Sequence, residues 1–192
     1  TTRFADIHHV LGLTVNEEER YRVIKLLLRE KTISPRLRIL PESDTSAIAD
    51  YWSAGGRNDR VLPLLESVAA TSGVEKLDIT HLLPPLPRRL LNTYPSLEGW
   101  RTRNSAPDCF WTAFSFFAES PSDRHLETVR QTFDERYEPA EPPLKMGDLI
   151  LIHREDDGSW LHACNYLAGG LAFTKNGSSP GRPWAIQKID DI

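Results

Sequence analysis

Polar and apolar positions follow two different periods along this chain, helical in its first part and sheet-like from about residue 147 onward. Residues 16–30 open with Asn16 and an acidic first turn, then place Val23, Ile24, Leu27 and Leu28 on one face, the pattern of an amphipathic helix. Two more helices are expected over residues 46–53, stopped by Gly55-Gly56, and 59–71, stopped near Gly73. Together they predict a helical N-terminal unit over residues 1–78. Residues 79–100 then mix prolines with leucines that need burial, which predicts an ordered connecting strap with a short helix at 88–91.

The next signal is a helix start. Pro107 suits the first helical position, Asp108 is favoured at the N-terminus, and the apolar run to Ala118 contains no glycine or proline. Phe110, Phe114 and Phe117 share a stripe with Trp111 beside it, so this helix should be largely buried. Residues 122–137 predict another, with Ser122 as cap, Leu126, Val129 and Phe133 on its apolar face, and His125 facing solvent. The period then changes. Residues 147–152, 160–167, 171–175 and 184–189 read as strands separated by turns at Asp157-Gly158 and Gly169-Gly170. Helices followed by an antiparallel meander define an α+β class, with a second domain over residues 79–192 that includes the strap.

Composition narrows the function classes. The chain has 192 residues, 40% hydrophobic and 26% charged, which supports a core of one full domain with a helical companion. A net charge of -4 argues against a general nucleic-acid binder. The longest apolar runs fall far short of the roughly 18 residues that cross a bilayer. The adjacent His8 and His9 cannot share a face, so they make a poor metal pair, and no metal or cofactor is called for.

Cys109 and Cys164 are the two cysteines, and Cys109 falls in the first turn of the buried helix. Unpaired N–H groups there favour a thiolate, as a cysteine nucleophile requires. The alternative is a small core residue. A thiol nucleophile needs a base, and His162, at the start of a central strand, is the best candidate; His153, beside an acidic turn, reads as exposed. A third residue should orient the imidazole from the next strand. A two-residue turn at Gly169-Gly170 would put Lys175 on the His162 face, whereas a three-residue loop would put Thr174 and Asn176 there. Lysine cannot accept the imidazole N–H, so the longer loop is preferred, with Asn176 as the orienting residue and Thr174 close behind. Cys164 shares the His162 face by alternation, which should turn it towards the cysteine helix as a buried, inert thiol not bonded to Cys109.

Asp108-Cys109 opening a buried helix, then Gly147-Asp148-Leu149-Ile150, then His162 followed by Tyr166-Leu167 and a glycine turn, resembles the NlpC-type cell-wall cysteine peptidases. The resemblance covers residues 105–176 and implies a papain-like fold. It further implies Cys109 as nucleophile, His162 as base, and Asp108 as the acidic residue that helps hold the free amine of a peptidoglycan stem peptide. Phe110 and Trp111 replace the Ser-Gly pair of the family motif. The implied activity is a cysteine peptidase or amidase, a hydrolase of a peptidoglycan peptide or other amide substrate. The resemblance, together with the missing start methionine, places it outside the cytoplasm, periplasmic or secreted. The alternatives are an inactive papain-like binding or structural protein and a Cys-His acyltransferase or thioesterase.

Overall fold

The computed structural model describes residues 6–98, 107–121 and 128–192. Helix α1 spans Ile7–Gly12 and carries His8 and His9 as exposed neighbours; α2 spans Glu17–Leu27. Asn16 accepts from the Glu19 N–H at 2.9 Å, and the Glu19 carboxylate accepts from the Val15 N–H at 2.6 Å, so the polar signal opening α2 becomes reciprocal capping. Helix α3, Thr45–Trp52, starts where the Asp44 carboxylate accepts from the Ala47 N–H, and α4 spans Asn58–Ala70.

The N-terminal unit is not purely helical. Strands β1 (Arg36–Arg38) and β2 (Lys76–Asp78) pair antiparallel, with Leu37 opposite Leu77. Each strand has a single apolar residue between charged ones, too little for a period of two to be read. The strap enters through a 3-10 turn at Ile79–Leu82 and continues as α5, Pro85–Leu90. That helix starts earlier than residue 88 because proline is tolerated in its first turn. Leu82, Leu83 and Leu86 are buried.

Helix α6, Cys109–Phe114, and helix α7, Val129–Arg136, precede an antiparallel sheet. Its strands, β3 (Leu149–His153), β4 (Trp160–Ala168), β5 (Leu171–Lys175) and β6 (Trp184–Lys188), lie in the order β3-β4-β5-β6. The class is therefore α+β with antiparallel sheets. The expected residues Ser122, His125 and Leu126 lie outside the described residues. Among the described residues no helix is long and apolar enough to cross a membrane.

One buried core joins Ile39, Ala49, Trp52 and Leu65 of the N-terminal part to Leu86 of the strap, Trp111 and Phe116 around α6, and Phe173 and Ile186 of the sheet. Polar ties cross the same boundary: the Tyr51 hydroxyl donates to the Leu167 carbonyl at 2.7 Å, and the Ile33 N–H donates to the Ile186 carbonyl at 2.8 Å. The strap is stitched to β6, since Asn92 N–H donates to the Trp184 carbonyl at 2.9 Å and Trp184 N–H to the Thr93 carbonyl at 3.1 Å.

Phe117 leaves the expected phenylalanine stripe because α6 stops at Phe114; it is 42% exposed and lies against Gly55 and Gly147. Gly147 has φ +95°, and a Cβ there would run into the Phe117 ring. Gly147→Ala is therefore expected to destabilise the fold by about 2 kcal/mol or more, through backbone strain and overpacking together, read as a lower urea midpoint. An unchanged midpoint would mean that the ring moves aside freely.

Candidate active site

Asp108 sets where α6 begins. Its carboxylate accepts from the Trp111 N–H at 2.9 Å, and its own carbonyl accepts from the Thr112 hydroxyl at 2.6 Å. That hydroxyl in turn accepts from the Trp184 indole N–H at 2.9 Å, so a polar chain runs from β6 through α6 to the residue before Cys109. This link was not legible in the sequence, which has no pattern to pair residues so far apart.

The body of α6 packs on one face of the sheet. Asn165 Nδ2 donates to the Ala113 carbonyl at 3.2 Å, Phe116 meets Phe173, and Trp111 meets Trp184. Asn165 pairs with Phe173, and Phe173 with Ile186, so these side chains share a face, and alternation puts His162, Cys164 and Thr174 on the other. The expectation that the His162 face turns towards the helix is thus corrected for the helix body.

The first turn of α6 also meets β4. The β4–β5 ladder pairs Asn165 with Phe173 and Tyr166 with Ala172, and two residues further along β4 the Ala163 backbone instead hydrogen-bonds the Cys109 thiol. Asp108 acts electrostatically on both His162 and Lys175, which alternation assigns to opposite faces. A register shift between Tyr166 and Ala168 absorbs the difference between the tight Gly169-Gly170 turn and the ladder, and sets Thr174 on the His162 face.

His162 Nε2 hydrogen-bonds Thr174 Oγ1 at 2.7 Å. Asn176, the residue preferred from sequence, does not fill that role: its Nδ2 donates to the Glu30 carboxylate at 2.9 Å and to Gln187 Oε1 at 3.0 Å. The cause is that β5 ends at Lys175, so Asn176 leaves the ladder before it can face the imidazole. With Nε2 on Thr174, the other ring nitrogen, Nδ1, is the one left to exchange a proton. Among the described residues the Cys109 thiol has no hydrogen bond to the His162 ring, and the backbone groups that act on the sulfur are those of Ala163, Phe110 and Cys109 itself.

Cys109 is 5% exposed. Burial pushes its thiol above the ordinary value; the hydrogen bond from the Ala163 backbone pulls it down, and the Asp108 carboxylate pushes it up again. The expected low thiolate pKa is not found, because α6 has one and a half turns of dipole against near-complete desolvation. Burial lowers the His162 pKa, opposed by Asp108. The resting pair is therefore a neutral thiol and a neutral imidazole.

Cys164 is fully buried, both cysteines are free thiols, and burial followed by the Cys109 charge pushes the Cys164 thiol up to about 12. Lys175 is also fully buried; its Nζ donates to the Gly177 carbonyl at 2.6 Å and the Ser179 carbonyl at 3.0 Å. Burial lowers its pKa to about 8, opposed by Asp108 and Cys109. A fully buried lysine in the sheet is a feature that hydrophobic patterning cannot announce.

Compared with models of protein families, with curated proteins and with solved structures, this chain matches none.

Proposed function

We propose that this chain is a papain-like cysteine peptidase or amidase of the NlpC type, hydrolysing an amide bond of a peptidoglycan stem peptide outside the cytoplasm. The observation that carries the reading is the His162–Thr174 bond at 2.7 Å, on the strand whose Ala163 backbone meets the Cys109 thiol. Thiol acyl transfer of the papain type needs an imidazole held in orientation through one nitrogen, and that is what the Thr174 hydroxyl supplies.

In the proposed cycle His162 Nδ1 takes the thiol proton as Cys109 Sγ attacks the amide carbonyl. The resulting imidazolium is favoured by Asp108 and gives its proton to the leaving amine. Water, deprotonated by the same ring, then releases the acyl group and restores the thiol. The Cys109 backbone N–H is the proposed oxyanion donor. Asp108 already caps α6 through its carboxylate, so amine binding would share that group with the Trp111 N–H.

Incubating the purified chain with a defined stem peptide should release one new amine, detected by mass spectrometry. The acid limb of kcat/KM should lie below the ordinary histidine value of 6.5, because burial keeps His162 neutral as the pH falls. An intact stem peptide after prolonged incubation would count against the reading. Thr174→Val should lower kcat by roughly 10- to 100-fold, the loss of one hydrogen bond on a partly buried ring, whereas Asn176→Ala should not reproduce that loss. Equal losses in both variants would show that Thr174 has no orienting role.

A second reading is supported by the burial of Cys109 and the upward push on its thiol: an inactive binding or structural protein on the same fold. It predicts no turnover at any pH and a thiol that reacts only on unfolding. A Cys-His acyltransferase or thioesterase would share the thiol chemistry and differ in the acceptor or the ester cleaved.

A further inference from the structure

A cleft of about 670 Å3 lies between α4 and the strap, lined by Arg57, Arg60, Arg88, Arg89, His81 and Glu119. Glu119 follows the C-terminal end of α6, so the cleft lies towards the end of that helix opposite Cys109. Gathering four guanidiniums is unexpected in a chain with a net charge of -4. Among the described residues none of the four arginines makes an ion pair. Burial, then the neighbouring Arg88 and Arg60, pushes the Arg57 pKa down to about 10, so these cations repel one another, and Glu119 is the one carboxylate among the described residues that line the cleft.

Two of the guanidiniums are fixed in advance. Arg57 donates to the carbonyls of Ala54, Leu82 and Trp52 at 3.0, 2.9 and 2.5 Å, and Arg88 Nη2 donates to the carbonyls of His81 and Leu83, both at 2.9 Å. Neutral carbonyls hold the groups in place without cancelling their charge, and each guanidinium retains further N–H groups for a ligand. Arg60 and Arg89 are exposed and free to close over an occupant. Planar, multiply donating cations in a fixed array are suited to oxyanions with several acceptor oxygens.

We propose that this cleft binds a small, multiply charged phosphate compound, a diphosphate or a phosphate ester, with Arg57 and Arg88 as the fixed clamp and Arg60 and Arg89 as the mobile one. The concave shape and a volume within the range of small-ligand pockets favour a small molecule over a polyanionic chain, which the acidic surface elsewhere would repel.

The test is calorimetric titration of the whole chain with inorganic pyrophosphate at fixed ionic strength, repeated on the double variant Arg60→Ala/Arg89→Ala. Both positions are exposed, and an unchanged melting temperature without ligand verifies that the variant folds. Saturable binding by the parent chain, weakened by about tenfold or more in the variant, is the expected result. No heat of binding at millimolar pyrophosphate, or equal affinity in both proteins, would overturn the proposal. Binding of an acidic peptide with none of pyrophosphate would overturn it too, by pointing to a macromolecular partner.

Discussion

Cys109→Ala is expected to reduce amide hydrolysis by on the order of 10^4-fold or more while costing the fold only about 1 kcal/mol. The two parts of that expectation have separate causes. Removing the sulfur leaves His162 no nucleophile to activate, and no neighbouring group can substitute: Cys164 is fully buried with its thiol held near 12, and its β4 position is fixed by pairing with Ile150. The stability cost is small because the substitution removes a single buried heavy atom. If the thiol were instead a packing element, the same substitution would lower the urea midpoint markedly and there would be no hydrolysis to lose. Activity and denaturation measured on one preparation separate the two.

The largest effect on stability is expected from Trp184→Ala, about 3–5 kcal/mol. Trp184 is 3% exposed, packs on Trp111 with ring centroids 6.4 Å apart, and lies 5.8 Å beneath the Lys175 ammonium. Its indole N–H is also the outer end of the chain through Thr112 to Asp108, so the substitution loosens the start of α6 as well as the core. Trp184→Phe should keep most of the packing and lose the hydrogen bond, giving a smaller cost of about 1–2 kcal/mol. The Thr112 hydroxyl still donates to Asp108 in that variant, so no buried donor is stranded. Equal destabilisation by Phe and Ala would show that the hydrogen bond, not the ring, dominates.

What could be read in advance divides along the range of the interactions involved. The cap of α2 at Asn16, the start of α6 at Asp108 and the glycine turn between β4 and β5 depend on residues within a few positions of each other, and each was visible as a local signal. The pairing of β1 with β2 joins Leu37 to Leu77, forty positions apart in the chain, and nothing local marks it. The choice between Thr174 and Asn176 was open for a similar reason: alternation puts both on the His162 face, and only the end of β5 at Lys175, together with the Glu30 and Gln187 side chains, draws Asn176 away. The direction of the Cys109 shift was missed because position in a helix is local whereas desolvation depends on everything packed around it. The burial of Lys175 over the Trp184 ring belongs to the same class.

The central claim, that Cys109 acts as a nucleophile assisted by His162, is tested most directly by covalent trapping. The native chain is treated with a stem-peptide analogue that carries an electrophilic ketone at the scissile carbonyl, and the adduct is mapped by mass spectrometry in the parent protein and in His162→Ala. One adduct per chain, on Cys109, forming at least about 100-fold more slowly without His162, is the predicted result. Labelling of Cys109 at the same rate in both proteins, or only after unfolding, would contradict it.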